Sequence, residues 1–116
     1  MTTELSSPVD GYVQATNRHD PKAFIGLFAD DALVDDAGRE FHGLAAIKAW
    51  SDSDIFDAHV TFEVLQAVNN GKDTILTTKV DGTFDRTGLP DPLILSHQIT
   101  IEGGKIVRLV CRLPAG

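Results

Sequence analysis

The chain has 116 residues, with 10 Lys+Arg against 17 Asp+Glu, a net charge of −7 at neutral pH, and 42% apolar residues. That length supports one core, hence one domain over residues 1–116, and so acidic a surface repels phosphate backbones and anionic lipid, which excludes nucleic acid and membrane as expected partners. No apolar run approaches the roughly 20 residues that span a bilayer, the N-terminus lacks the basic and apolar regions of a secretory signal, and a lone cysteine, Cys111, excludes an intramolecular disulfide, so a reducing, cytoplasmic setting is expected.

Ser7-Pro8-Val9-Asp10 carries a helix-start signal, and Val9, Tyr12, Val13 and Thr16 then form one helical face over about residues 8–18. His19-Asp20-Pro21 repeats the signal and opens a second short helix, with Ala23, Phe24, Leu27 and Phe28 facing inward and Ala29-Asp30-Asp31 ending it. Ala32–Asp35 reads as a short strand, Ala37-Gly38 as a turn, and Glu40-Phe41-His42 as the return. Gly43 leads into a third helix through Trp50, and the acidic stretch Ser51–Asp57 reads as loop. From residue 59 the pattern becomes β. Asn70-Gly71 and Gly103-Gly104 mark hairpin turns, and Asp85–Pro92, with two prolines and a glycine, marks a loop. The order α-α-β-β-α followed by a four-strand antiparallel meander predicts an α+β roll, three N-terminal helices packed on a curved antiparallel sheet.

This order resembles the nuclear transport factor 2-like superfamily, whose members curl the sheet into a cone closed by the helices. Tyr12-Val13 with Asn17 and Asp20, then Leu27–Ala32 and Val34-Asp35-Asp36, resembles the N-terminal half of bacterial ketosteroid isomerases. Gly43–Ile47 and His97…Gly104-Lys105-Ile106-Val107 continue the match, and a SnoaL-like domain is the general description. The resemblance implies a cavity for a small apolar ligand or substrate, with Tyr12 at the oxyanion-hole tyrosine and Asp36 at the general-base aspartate. The isomerases' third group is a protonated aspartic acid. Ser96 stands at that position here, a shorter and weaker donor, and losing a good oxyanion donor costs about 3–4 kcal/mol.

Two activities follow from that pocket: proton transfer of isomerase or cyclase type, or non-catalytic binding of a small ligand. Asp36 is then either base or turn residue, and Tyr12 either donor or core residue with a satisfied hydroxyl. Alternation sends Asp35 to the opposite face from Asp36. Trp50, Phe28 and Phe84 are candidate cavity residues, and His42, before Gly43, is an outside candidate for acid or base. The four histidines lack ligand spacing, so no metal is expected; without a Gly-rich phosphate loop, no cofactor is expected either. Cys111 reads as a small core residue. If Ser96, Gln98 and Thr100 face the cavity, then Leu95, His97, Ile99 and Ile101 form an apolar strip on the convex face. Relatives pair through that face, so a homodimer is expected.

Overall fold

Val9, Tyr12, Val13 and Thr16 are buried along one face of α1, Ser7–Asn17, in the computed structural model, which describes residues 7–84 and 87–114. Asp20 caps α2, Pro21–Ile25: its carboxylate accepts the Ala23 N–H at 3.1 Å, and Pro21 sits in the first turn. This helix is shorter than its apolar spacing implies. Within it only Phe24 is buried; Gly26 and Leu27 turn the chain, and Phe28 opens a strand instead of facing inward from a helix.

That strand, β1, runs Phe28–Asp36 and so absorbs Ala29-Asp30-Asp31. Alternation puts Ala32, Val34 and Asp36 on the inner face and Asp35 on the other. Ala37 and Gly38 both take positive φ, 53° and 93°, the twist a two-residue hairpin requires. Asp35, not Asp36, supports the turn, its Oδ1 accepting the Gly38 N–H at 2.9 Å. The return strand β2, Arg39–His42, sets Arg39 opposite Asp36. After α3, Gly43–Ser51, the acidic stretch is not a loop. It winds into a π-helical turn, Asp52–Phe56, with the Asp57 N–H bonded to the Asp52 carbonyl at 2.9 Å.

The meander follows as β3 (Thr61–Asn70), β4 (Asp73–Asp81), β5 (Leu93–Glu102) and β6 (Lys105–Arg112). Its first turn is Gly71-Lys72, one residue beyond the expected Asn70-Gly71, because Asn70 still pairs with Asp73. The sheet order is β2-β1-β6-β5-β4-β3. Since β1 runs parallel to β6, the six-stranded sheet is mixed, not wholly antiparallel. Three helices pack on it, an α+β cone.

The facing of β5 is opposite to the expected one. Leu93, His97 and Ile99 are buried, whereas Ser96, Gln98 and Thr100 lie half-buried on the outer face, Ser96 between Thr77 and Arg112. The more apolar alternate set turns inward, as the hydrophobic effect demands. Leu109 and Cys111 of β6, opposite Ile99 and His97, turn inward with it. The convex strip of Leu95, His97, Ile99 and Ile101 therefore does not exist.

Candidate functional site

Between the sheet's inner face, α1, α3 and the π-helical turn lies a cavity of about 700 Å³, the size of a drug-like ligand site. Its walls are apolar: Ile55, Val60, Phe62, Val80, Phe84, Leu93 and Leu95. Polar side chains interrupt them, and two groups stand out, one buried and one partly exposed at the mouth.

The deep group is Tyr12, His97 and Cys111, all lining the cavity. Helix α1 delivers Tyr12 fully buried, its ring against Phe24 and Phe62 at centroid distances of 5.7 and 5.4 Å. The Tyr12 hydroxyl lies 2.9 Å from His97 Nδ1 and 3.9 Å from Cys111 Sγ, while His97 Nε2 lies 2.8 Å from Thr78 Oγ1. Burial sets the charge state of each. It raises the Tyr12 phenol well above its usual range, pulls the His97 imidazole down to about 3, and pushes the Cys111 thiol up to about 12. At neutral pH the deep end holds hydrogen atoms and lone pairs but no charge.

At the mouth sits Asp36, partly open to solvent. Its Oδ2 accepts two hydrogen bonds, from the Trp50 indole N–H at 3.0 Å and from Arg39 at 2.7 Å. Arg39 also binds Asp54 of the π-helical turn, whose hydrogen bond holds the guanidinium all the more firmly protonated. Among the described residues, Oδ1 of Asp36 takes no hydrogen bond. One carboxylate oxygen of this cavity-lining residue is thus anchored, and the other has no hydrogen-bond partner among the described residues. Asp36 also contributes to raising the Tyr12 phenol and the Cys111 thiol, which places its charge within electrostatic reach of the deep group.

Of the residues singled out from sequence, Tyr12, Asp36, Trp50 and Phe84 line this cavity. Phe28 does not; it packs behind Phe24, 5.3 Å between ring centroids, in the core. Ser96 is on the outer face, and His42 is exposed and bonded to Glu40 at 3.3 Å, away from the cavity. His97 takes the inward place expected of Ser96, and Arg39 and Asp54 were not singled out at all. The inward set Leu93, Leu95, His97, Ile99 was the available signal for His97. Among the described residues no three His, Cys, Asp or Glu side chains converge as a metal site, and no helix is long and apolar enough to cross a membrane.

The sequence model of the SnoaL-like domain matches residues 9–109. The chain belongs to that family. A crystal structure named as a candidate polyketide cyclase from Sinorhizobium meliloti is 30% identical, with a TM-score of 0.83 over 93% of this chain and 95% of that one. A candidate ketosteroid isomerase from Kribbella flavida is 12% identical, with a TM-score of 0.77 over 95% and 77%. A Mycobacterium tuberculosis protein solved in complex with estradiol-17β-hemisuccinate is 14% identical, with a TM-score of 0.76 over 92% and 91%. At such identities the last two show the fold alone. No curated protein matches the chain. The cavity of this SnoaL-like domain must be read from its own residues.

Proposed function

We propose that this SnoaL-like domain is a proton-transfer enzyme of isomerase or cyclase type, acting on a small apolar carbonyl compound. The observation that carries the reading is the division of Asp36: Oδ2 is held by Trp50 and Arg39 and Oδ1 has no hydrogen-bond partner among the described residues, in an apolar cavity that a neutral Tyr12 also lines. Asp36 Oδ1 removes a proton from the carbon next to the carbonyl. The C–H electron pair becomes the new C=C bond, and the carbonyl π pair moves to oxygen, where Tyr12 stabilises it by donating a hydrogen bond. Asp36 then returns the proton to a second carbon, or the enolate carbon attacks an internal carbonyl and closes a ring, the π pair of that carbonyl moving to its oxygen, which takes the proton from Asp36. The relatives named as cyclase and isomerase support the reaction class, and the steroid complex supports an apolar ligand.

The test needs no known product. A panel of apolar cyclic ketones and polyketide-like diketones is incubated in deuterated water, and exchange at the carbon next to the carbonyl is followed by NMR. Wild-type protein should exchange at least one compound and Asp36→Asn should bind it without exchange. A second reading, a non-catalytic receptor, is favoured by the Arg39 guanidinium, which ties Asp36 into an ion pair. Binding without exchange by the wild type would establish it.

A homodimer through the outer face belongs to this proposal on a new footing. Ile75 and Ile94 are half-buried there and Val68, beside Ile75, is 48% exposed. Ile75→Glu should convert a species of twice 12.5 kDa into one of 12.5 kDa in sedimentation. The net charge of −7 argues against a nucleic-acid partner, and the free buried thiol of Cys111 suits a reducing, cytoplasmic setting.

A further inference from the structure

We infer that His97 and Thr78 are positioning residues that fix the direction of the Tyr12 hydroxyl, making it a donor into the cavity and so selecting ligands that present an acceptor oxygen there. This rests on the reading of Tyr12 as the group that meets the ligand.

The argument is a count of buried hydrogens. Thr78 and His97 are both fully buried. Among the described residues, the Thr78 hydroxyl has His97 Nε2 as its hydrogen-bond partner, at 2.8 Å, and no other. The neutral imidazole carries one N–H, on either nitrogen. If that proton sat on Nε2, it would donate to Thr78 Oγ1, and the Thr78 hydrogen would be left buried without an acceptor. Nδ1 would then accept, from the Tyr12 O–H at 2.9 Å in preference to the weaker Cys111 S–H at 3.5 Å. With the proton on Nδ1 the count closes: Thr78 O–H donates to Nε2, Nδ1–H donates to Tyr12 Oη at 2.9 Å, and the Tyr12 O–H is left to point elsewhere. Its other neighbour is Cys111 Sγ at 3.9 Å, a long contact to a weak acceptor, so the hydrogen is available to a ligand. A buried donor without a partner costs about 1–3 kcal/mol, so the Nδ1–H form is the populated one. The chain of donation runs one way, Thr78 to His97 to Tyr12 to ligand.

Thr78 does not line the cavity, which separates this role from ligand contact. The experiment reads the His97 ring directly. In protein carrying ¹⁵N-histidine, the ring-nitrogen shifts should show a protonated Nδ1 and a bare Nε2 in the wild type and in Thr78→Ser. In Thr78→Val, of the same shape but without a hydroxyl, Nε2 loses the hydrogen bond it accepts. A proton moved there would be buried without an acceptor, so it should stay on Nδ1 while the Nε2 resonance shifts with the loss of its hydrogen bond. A wild-type ring protonated on Nε2 would overturn the inference, as would identical ring shifts in wild type and Thr78→Val. Because no substrate is needed, an Nδ1–H ring in a protein that exchanges no carbonyl compound would support the inference and overturn the proposed function alone.

Discussion

The two ends of the cavity use hydrogen bonds to opposite purposes. At the deep end Tyr12, His97 and Thr78 are fully buried, and burial keeps Tyr12 and His97 neutral, so each of the three must be satisfied by a neutral neighbour. At the mouth Asp36 and Asp54 pair with Arg39 where water still reaches them: the side chains of Asp36, Arg39 and Asp54 are 25%, 59% and 31% exposed. A missing partner is therefore costly inside and cheap outside, whereas a missing proton acceptor matters most at the mouth, where the proposed base is. The comparison predicts different failures for the two ends.

The largest effect falls on chemistry at the mouth. Asp36→Asn keeps the shape and the Trp50 bond but removes the base, so turnover should fall by about 10²–10⁴ with ligand binding nearly intact. Equal loss of both would mark Asp36 as an anchor. Tyr12→Phe comes next and strikes both rate and stability. Removing the proposed oxyanion donor should lower the rate by roughly 10²–10³, and leaving His97 Nδ1 with only the Cys111 thiol at 3.5 Å should cost about 1–3 kcal/mol in denaturant unfolding. A Tyr12→Phe protein with wild-type stability would break the picture of a fully satisfied interior.

The pH dependence of stability isolates the deep end further. His97 in the folded chain takes a proton only near pH 3, whereas the unfolded chain takes it near 6.5. Between those values the unfolded state holds the extra proton, so stability falls as the pH drops from about 6.5 toward 3, by about 1.4 kcal/mol per pH unit from this group. Carboxylates add their own slope, so the quantity to read is the difference from His97→Gln, which should unfold with a flatter dependence across that window.

That histidine also shows where the sequence was and was not readable. Local signals carried well: the Asp20 cap, the Ala37-Gly38 turn, the Gly103-Gly104 turn and the α1 stripe are all present, because each depends on neighbours a few residues apart. Tyr12, Asp36 and Trp50 came from the family resemblance, and all three line the cavity. The failures are of longer range. The partners that permit His97 inside are Tyr12, 85 residues away, and Thr78, 19 away. Placing Ser96 inward for the sake of the resemblance overrode an alternation in which Leu93, Leu95 and Ile99 already argued for the opposite face. The parallel pairing of β1 with β6 likewise joins segments that no local pattern connects. Phe24, Leu27 and Phe28 keep a helical spacing through a stretch where the backbone has already become a strand.

The smallest effect should come from Arg39, and it sharpens the comparison most. Arg39→Gln removes two ion pairs at once, to Asp36 and to Asp54, which by count equals the two hydroxyl contacts that Tyr12→Phe removes. Yet the guanidinium is mostly in water, both carboxylates are partly so, and each can exchange the lost partner for solvent. Exposed pairs contribute about 0.2–1 kcal/mol, so unfolding free energy should change by no more than about 1 kcal/mol. The difference from wild type should shrink toward zero in about 1 M salt, where the Debye length falls to about 3 Å. Trp50 still holds Asp36 Oδ2 in the variant, so the base keeps its orientation and turnover should stay within a few-fold of wild type. A loss of several kcal/mol, or one that salt does not screen, would show that the mouth is as closed to water as the deep end and that the two regions differ in charge without differing in solvation.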